Sequence, residues 1–181
     1  MTDSLRTGVR LAIDVGSVRI GVARCDPHGI LSSPVRTVAR SAQEDGVREL
    51  TALVAEYEPI EVVVGLPRSL DGGEGPAARS VRAYCVALVR AIRPIPVRLV
   101  DERLTTVTAH QVLHQAGRKS KRHREVVDQV AAVTILEAAL DAERRQGRPP
   151  GEIVPDPDPD HGAPRGAAPD ADLDAPTQEG T

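Results

Sequence analysis

Residues 61–67, Glu-Val-Val-Val-Gly-Leu-Pro, form a β-branched run with no polar position between its ends. Such a run suits a strand buried on both faces, in the middle of a parallel sheet with helices above and below. The flanking sequence agrees. Val9 to Val15 is a second short apolar run, closed by an acid and a glycine. Arg19 to Asp26 alternates, with Ile20, Val22 and Arg24 on one side and Gly21, Ala23 and Cys25 on the other. Asp26-Pro-His-Gly29 is a turn signal, and Val35 to Ala39 follows as a third strand. Ser41 with Glu44 reads as a capping box, ahead of Val47, Leu50, Leu53, Val54 and Tyr57 at helical spacing. A second helix carries Val81, Tyr84, Cys85, Leu88 and Ile92, and Pro94 and Pro96 stop it. Val97 to Val100 is a strand. Ala109, Val112, Leu113 and Ala116 predict a third helix, and Val127, Val130, Ala131, Ile135 and Leu140 a fourth. The order β-β-β-α-β-α-β-α-α predicts an α/β fold: three antiparallel strands, then parallel ones, in a mixed five-stranded sheet with helices on both faces.

Composition narrows the function classes. Two tyrosines and no Trp or Phe argue against modules that stack bases on aromatic side chains. Two cysteines cannot form a disulfide framework, so Cys25 and Cys85 read as small core residues in a reducing compartment. The apolar runs span five or six residues, short of the ~20 a membrane span needs, and a cytoplasmic location without a membrane partner is expected. From Gly147 to Thr181 there are eight Pro, eight acidic and two basic residues, a charge of −6 that leaves the body at +3. That divides the chain into a flexible 1–8, one domain over 9–146, and an acidic tail over 147–181. The tail has too few apolar side chains to offset ordering and is expected to be disordered.

Acids stand where strands end, which is where open α/β sheets place their sites. Leu11-Ala-Ile-Asp14-Val-Gly16 closes the first strand and Leu99-Val-Asp101-Glu102-Arg103 the last. Asp128 stands among valines and alanines of the final helix. Carboxylates brought together repel, and a divalent cation resolves the conflict; Mg²⁺ favours carboxylate oxygens and keeps places for water and phosphate. Neighbours on a strand face opposite sides, so one of Asp101 and Glu102 points into such a site, and the other is free to pair with Arg103. Glu125, one turn before Asp128, is a weaker candidate.

The blocks Asp14-Val-Gly-Ser-Val-Arg-Ile-Gly-Val-Ala23, Val64-Gly-Leu-Pro67, Asp71-Gly72 with Glu74-Gly75, Asp101-Glu-Arg-Leu-Thr-Thr106 with Ala109, and Asp128 with Ala131-Ala132 and Ile135-Leu136 resemble, in order, the YqgF/RuvX family. The resemblance covers about Leu11 to Leu140. It implies an RNase H-like fold and a metal-dependent nuclease, with Asp14, Glu102 and Asp128 holding Mg²⁺ or Mn²⁺, two ions in all, and Asp101 beside Glu102 as a substitute. It associates the chain with 5′-end maturation of precursor 16S ribosomal RNA, on ribosomal precursor particles. Holliday-junction resolution on branched DNA is the alternative role in the family. Products with a 5′-phosphate and a 3′-hydroxyl are expected.

Arg118-Lys-Ser-Lys-Arg-His-Arg124 carries five basic side chains in seven residues, a density that suits a polyanion. Arg118, Lys119, Lys121, Arg122 and Arg124 are therefore candidate nucleic-acid contacts, with Arg19 and Arg103 beside the acids and Arg68 after the Gly-Leu-Pro strand end. His110 and His114 are an i, i+4 pair without a third metal ligand and read as a polar helix face. An RNA-binding assembly factor without catalysis would need only the basic stretch. An ATPase of the actin or sugar-kinase type also opens with Asp-x-Gly, but needs two such domains. A resolvase requires a two-fold dimer, whereas a monomer suffices to trim an RNA end.

Overall fold

The computed structural model describes residues 5–41, 45–69, 71–104 and 121–159, with the backbone alone at 104 and 121–125. The elements are β1 (Arg10–Val15), β2 (Arg19–Cys25), β3 (Ser32–Ala39), α1 (Val47–Tyr57), β4 (Glu61–Leu66), α2 (Pro76–Ile92), β5 (Val97–Asp101), a 3-10 turn over Glu102–Leu104, α3 (Lys121–Gln146) and β6 (Glu152–Ile153). One sheet runs β3-β2-β1-β4-β5-β6. β1 pairs antiparallel with β2 and parallel with β4, β4 pairs parallel with β5, and β6 runs antiparallel on β5. The β-branched run is β4, and all six of its residues are buried.

Period-2 alternation sorts the core into two layers. Leu11, Ile13, Ile20, Val22, Val62, Val64, Leu66, Val97 and Leu99 pack with Leu50 and Leu53 of α1 and with Val81, Tyr84, Cys85 and Leu88 of α2. Ala12, Ala23, Cys25, Val63 and Val100 face the other way, onto Ala132, Ile135, Leu136, Ala139 and Leu140 of α3. The smaller side chains of the second layer let α3 lie close to the sheet.

The expected sheet gains a sixth strand. The segment from Gly147 was expected to be disordered, yet within 147–159 β6 caps the sheet edge, and its carboxylates meet arginines of α2 and its C-terminal end. Glu152 lies 2.8 Å from Arg82, Asp158 lies 3.0 Å from Arg90, and Arg93 holds Asp156. Composition predicted disorder because it counts apolar side chains. Backbone pairing and ion pairs order this stretch instead. Residues 160–181 lie outside the described residues.

The N-terminal stretch is also more fixed than expected over 5–8. Arg6 reaches Glu61 at 2.7 Å and Glu143 at 2.8 Å, and Arg10 contacts the same two acids. Arg10, Glu61 and Glu143 are buried, and Arg98 adds a third cation on Glu61 at 3.0 Å. Buried charges are tolerated because each is met by opposite charge and hydrogen bonds. α1 starts at Val47, behind Gly46 at φ 82°, with Asp45 Oδ1 accepting the Val47 N–H at 3.0 Å. Asp45 thus takes the capping part expected of Ser41, and Glu44 lies outside the described residues. The helix expected over 109–116 lies outside them too, with His110 and His114. No described helix is long and apolar enough to cross a membrane.

Candidate active site

The two core layers decide where each acid points. Asp14 shares the parity of Ala12 on β1 and so faces α3. Its partner across the β1–β2 ladder is Gly21. A Cβ built on Gly21 would stand 1.9 Å from the Asp128 carbonyl oxygen, so the backbone of α3 rests directly on β2 at this point. Asp128 is thereby placed over the strand that pairs with Asp14. Gln129 follows, donating to Thr37 Oγ1 at 3.3 Å.

β5 settles which of the neighbouring acids turns inward. Val97 and Leu99 face α1 and α2, and Val100 faces α3, so the alternation sends Asp101 away from α3 and Glu102 toward it. Glu102 fills the space left by a second glycine. A Cβ on Gly65 would meet Glu102 Oε1 at 2.6 Å and Ile135 Cδ1 at 2.6 Å. Asp101 instead accepts from the Arg103 backbone N–H at 2.9 Å and pairs with its guanidinium at 2.7 Å, which holds its carboxyl below the usual carboxylate range.

Burial, the charge of Asp14 and that of Asp101 together push Glu102 up to about 7. Two carboxylates that repel one another on the same face of the sheet are a donor set a divalent cation fits. Asp128 pairs with an arginine: its Oδ2 accepts from Arg19 Nε at 2.7 Å. Among the described residues no three His, Cys, Asp or Glu side chains stand close enough to hold a metal as they are. For Asp128 to join Asp14 and Glu102 on an ion, its side chain would have to leave Arg19.

In the metal-free protein, Glu102 gives stability a pH dependence. Its folded pKa lies above the unfolded value, so its contribution is present in full below the ordinary glutamate pKa and is lost as pH rises through about 7. The loss is about 3 kcal/mol. Denaturant unfolding with chelator at pH 5 and pH 8 checks this: the decrease across that range is expected to shrink in Glu102→Gln.

The candidate nucleic-acid contacts divide. Arg19 pairs with Asp128, Arg103 with Asp101, and Arg68 lies 3.2 Å from Glu74. Arg118 and Lys119 lie outside the described residues, and Lys121, Arg122 and Arg124 fall in the first turn of α3. No local pattern marks Arg40. It follows β3, donates to the Gly16 carbonyl at 2.7 Å and stacks over Tyr84 at 4.9 Å. Strand order then sets an arginine at the end of each of the two strands on either side of β1, at the sheet edge that carries the acids: Arg40 after β3, Arg19 opening β2, Arg68 after β4 and Arg103 after β5. At the usual strand spacing of about 4.8 Å, this row spans about 19 Å with Asp14 at its middle.

The model of the RuvX family, described as Holliday junction resolvase, matches residues 8–142. The chain belongs to the RuvX family. Among curated relatives, a protein of Streptomyces coelicolor named "Putative pre-16S rRNA nuclease" is 63% identical over 150 residues, covering 83% of this chain and 90% of its own. A protein of Thermobifida fusca with the same name is 54% identical, covering 83% and 98%. Among solved structures, T. thermophilus RuvC in complex with Holliday junction substrate aligns at a TM-score of 0.52 with 15% identity, covering 78% of this chain and 98% of that one. At that identity the match speaks for the fold alone, which is RNase H-like.

Proposed function

We propose that this protein is a divalent-metal-dependent nuclease that hydrolyses phosphodiester bonds in precursor 16S ribosomal RNA, at its 5′ end. The observation that carries the reading is that Asp14 and Glu102 face the same α3 side of the sheet, on strands either side of β4, with the Asp128 backbone pinned over Gly21. The names of the curated relatives support the RNA substrate.

Asp14, Glu102 and Asp128 would hold Mg²⁺ or Mn²⁺. Bound, such ions supply an activated water and offset the charge that develops on the leaving oxygen. The chain's own contribution is placement. Gly65 admits the Glu102 carboxylate to the sheet surface, and β1 presents Asp14 from a strand fixed on both sides. Arg103 holds Asp101 out of the site. Arg40 and Arg68 flank Asp14 at two and one strands' distance and would fix an RNA strand across the sheet edge.

Arg40→Gln and Arg68→Gln are each expected to weaken binding of a precursor RNA fragment about threefold to tenfold. Each is also expected to lower the salt slope by about one, as for loss of one phosphate contact. Fluorescence anisotropy against salt concentration, in chelator, checks both numbers. Unchanged slopes in both variants would remove the sheet edge from the RNA path.

The description of the matched family model favours one second reading, resolution of four-way DNA junctions. It demands a two-fold dimer that makes paired cuts. Cleavage of both substrates side by side, with sedimentation of the free protein, separates the two.

A further inference from the structure

Resting on the metal-site reading above, we propose that Arg19 is the resident counter-ion of Asp128. It competes with the incoming divalent cation for that carboxylate, and loading the site releases its guanidinium toward substrate phosphate. Arg19 is thus a positioning residue that couples metal loading to nucleic-acid binding.

Arg19 opens β2 and shares the parity of Gly21 and Ala23, so it faces α3 beside Asp128. Its backbone is fixed by the turn in which the Gly16 N–H donates to the Arg19 carbonyl at 2.9 Å. The Asp128 backbone is fixed as well, by its contact with Gly21. What remains adjustable is the pair of side chains, joined at 2.7 Å through the Arg19 Nε. The side chains are 26% and 23% exposed, so the pair is neither sealed in the core nor lost to solvent.

What displaces Arg19 from Asp128 is a cation of higher charge. A divalent ion held by Asp14 and Glu102 would bring twice the charge of the guanidinium and offset the repulsion between those two carboxylates. Once Asp128 rotates to that ion, the guanidinium stands at the acid-bearing edge with its fork of donors exposed. Bidentate phosphate binding is what that fork fits.

The alternative, that Arg19 merely orients Asp128 for the metal, predicts the opposite sign. Isothermal titration of full-length protein with Mn²⁺ decides between them, using wild type, Arg19→Gln, Arg19→Lys and Asp14→Asn, each checked by circular dichroism for native fold. Competition predicts that Arg19→Gln binds Mn²⁺ about three- to fivefold more tightly than wild type, the equivalent of one partly exposed ion pair removed. Arg19→Lys, which keeps the charge, falls between them. In Ca²⁺, Arg19→Gln binds precursor RNA more weakly than wild type.

Equal or weaker Mn²⁺ binding by Arg19→Gln, with wild-type binding that depends on Asp14, overturns the competition and leaves the metal site standing. A Lys variant tighter than the Gln variant also overturns it. Wild-type Mn²⁺ binding that is absent, or unaffected in Asp14→Asn, overturns the metal-site reading itself and this inference with it.

Discussion

Asp14→Asn is expected to fold normally and to cleave precursor RNA at least about a thousandfold more slowly than wild type. The substitution is nearly isosteric, on a strand paired on both sides, so packing is retained. It removes the charge facing Glu102, and Asp14 is one of the causes that raise Glu102 to about 7. The metal-free variant should therefore be as stable as wild type or more so near neutral pH, with Glu102 nearer the ordinary glutamate value. Metal ions contribute several kcal/mol of transition-state stabilisation, and each 1.36 kcal/mol is tenfold in rate, which sets the size of the loss. Single-turnover cleavage in Mn²⁺ measures it, with thermal unfolding in chelator as the control for fold. A stable variant that retains cleavage would remove Asp14 from the chemistry.

The second large effect belongs to a residue with no functional group. Gly21→Ala adds a methyl that would meet a backbone carbonyl, that of Asp128, at 1.9 Å, where no side-chain rotation relieves the overlap. Helix α3 must move off the sheet or β2 must bend. Overpacking of this kind costs about 3 kcal/mol, which lowers the melting temperature by about 10 °C. The displaced backbone carries Asp128, so the variant that remains folded is expected to lose about a hundredfold in cleavage, as for a misplacement of about 1 Å at a reacting centre. Melting by circular dichroism and cleavage well below the melting temperature separate the two effects. Gly75→Ala is the control, since a Cβ there meets nothing within 4 Å.

Much of this architecture is legible in the residues, because local pattern and tertiary need agree. The run at 61–67 has one physical use, a strand covered on both faces, and it is the fully buried β4. The acids at Asp14 and Asp101-Glu102 stand at strand ends whose apolar runs mark them. Choosing between Asp101 and Glu102 needs the phase of β5, which requires knowing that Val97 and Leu99 face α1 and α2. Sequence supplies the alternation but not its origin.

Other features depend on partners far along the chain. The pairs Arg19–Asp128 and Arg10–Glu143 join residues more than a hundred positions apart, and no local spacing announces them. β6 is not legible locally because Glu152 and Ile153 sit in a proline-rich acidic stretch, and their order comes from the free edge of β5 and from arginines on and just after α2. The start of α1 moved to Val47 because a glycine at positive φ and Asp45 make the cap. Gly21 and Gly65 lie within blocks that resemble the family, yet their task, close approach of a helix and of a carboxylate, shows only in three dimensions.

The most direct test of the account is cleavage by purified full-length protein of two end-labelled substrates, a precursor 16S RNA fragment and a four-way DNA junction, each in Mg²⁺, Mn²⁺ and chelator. The account predicts metal-dependent cleavage of the RNA, leaving a 5′-phosphate and a 3′-hydroxyl, with the junction left without paired cuts. Binding of the RNA with no cleavage in either metal, or symmetric paired cuts confined to the junction, would contradict it.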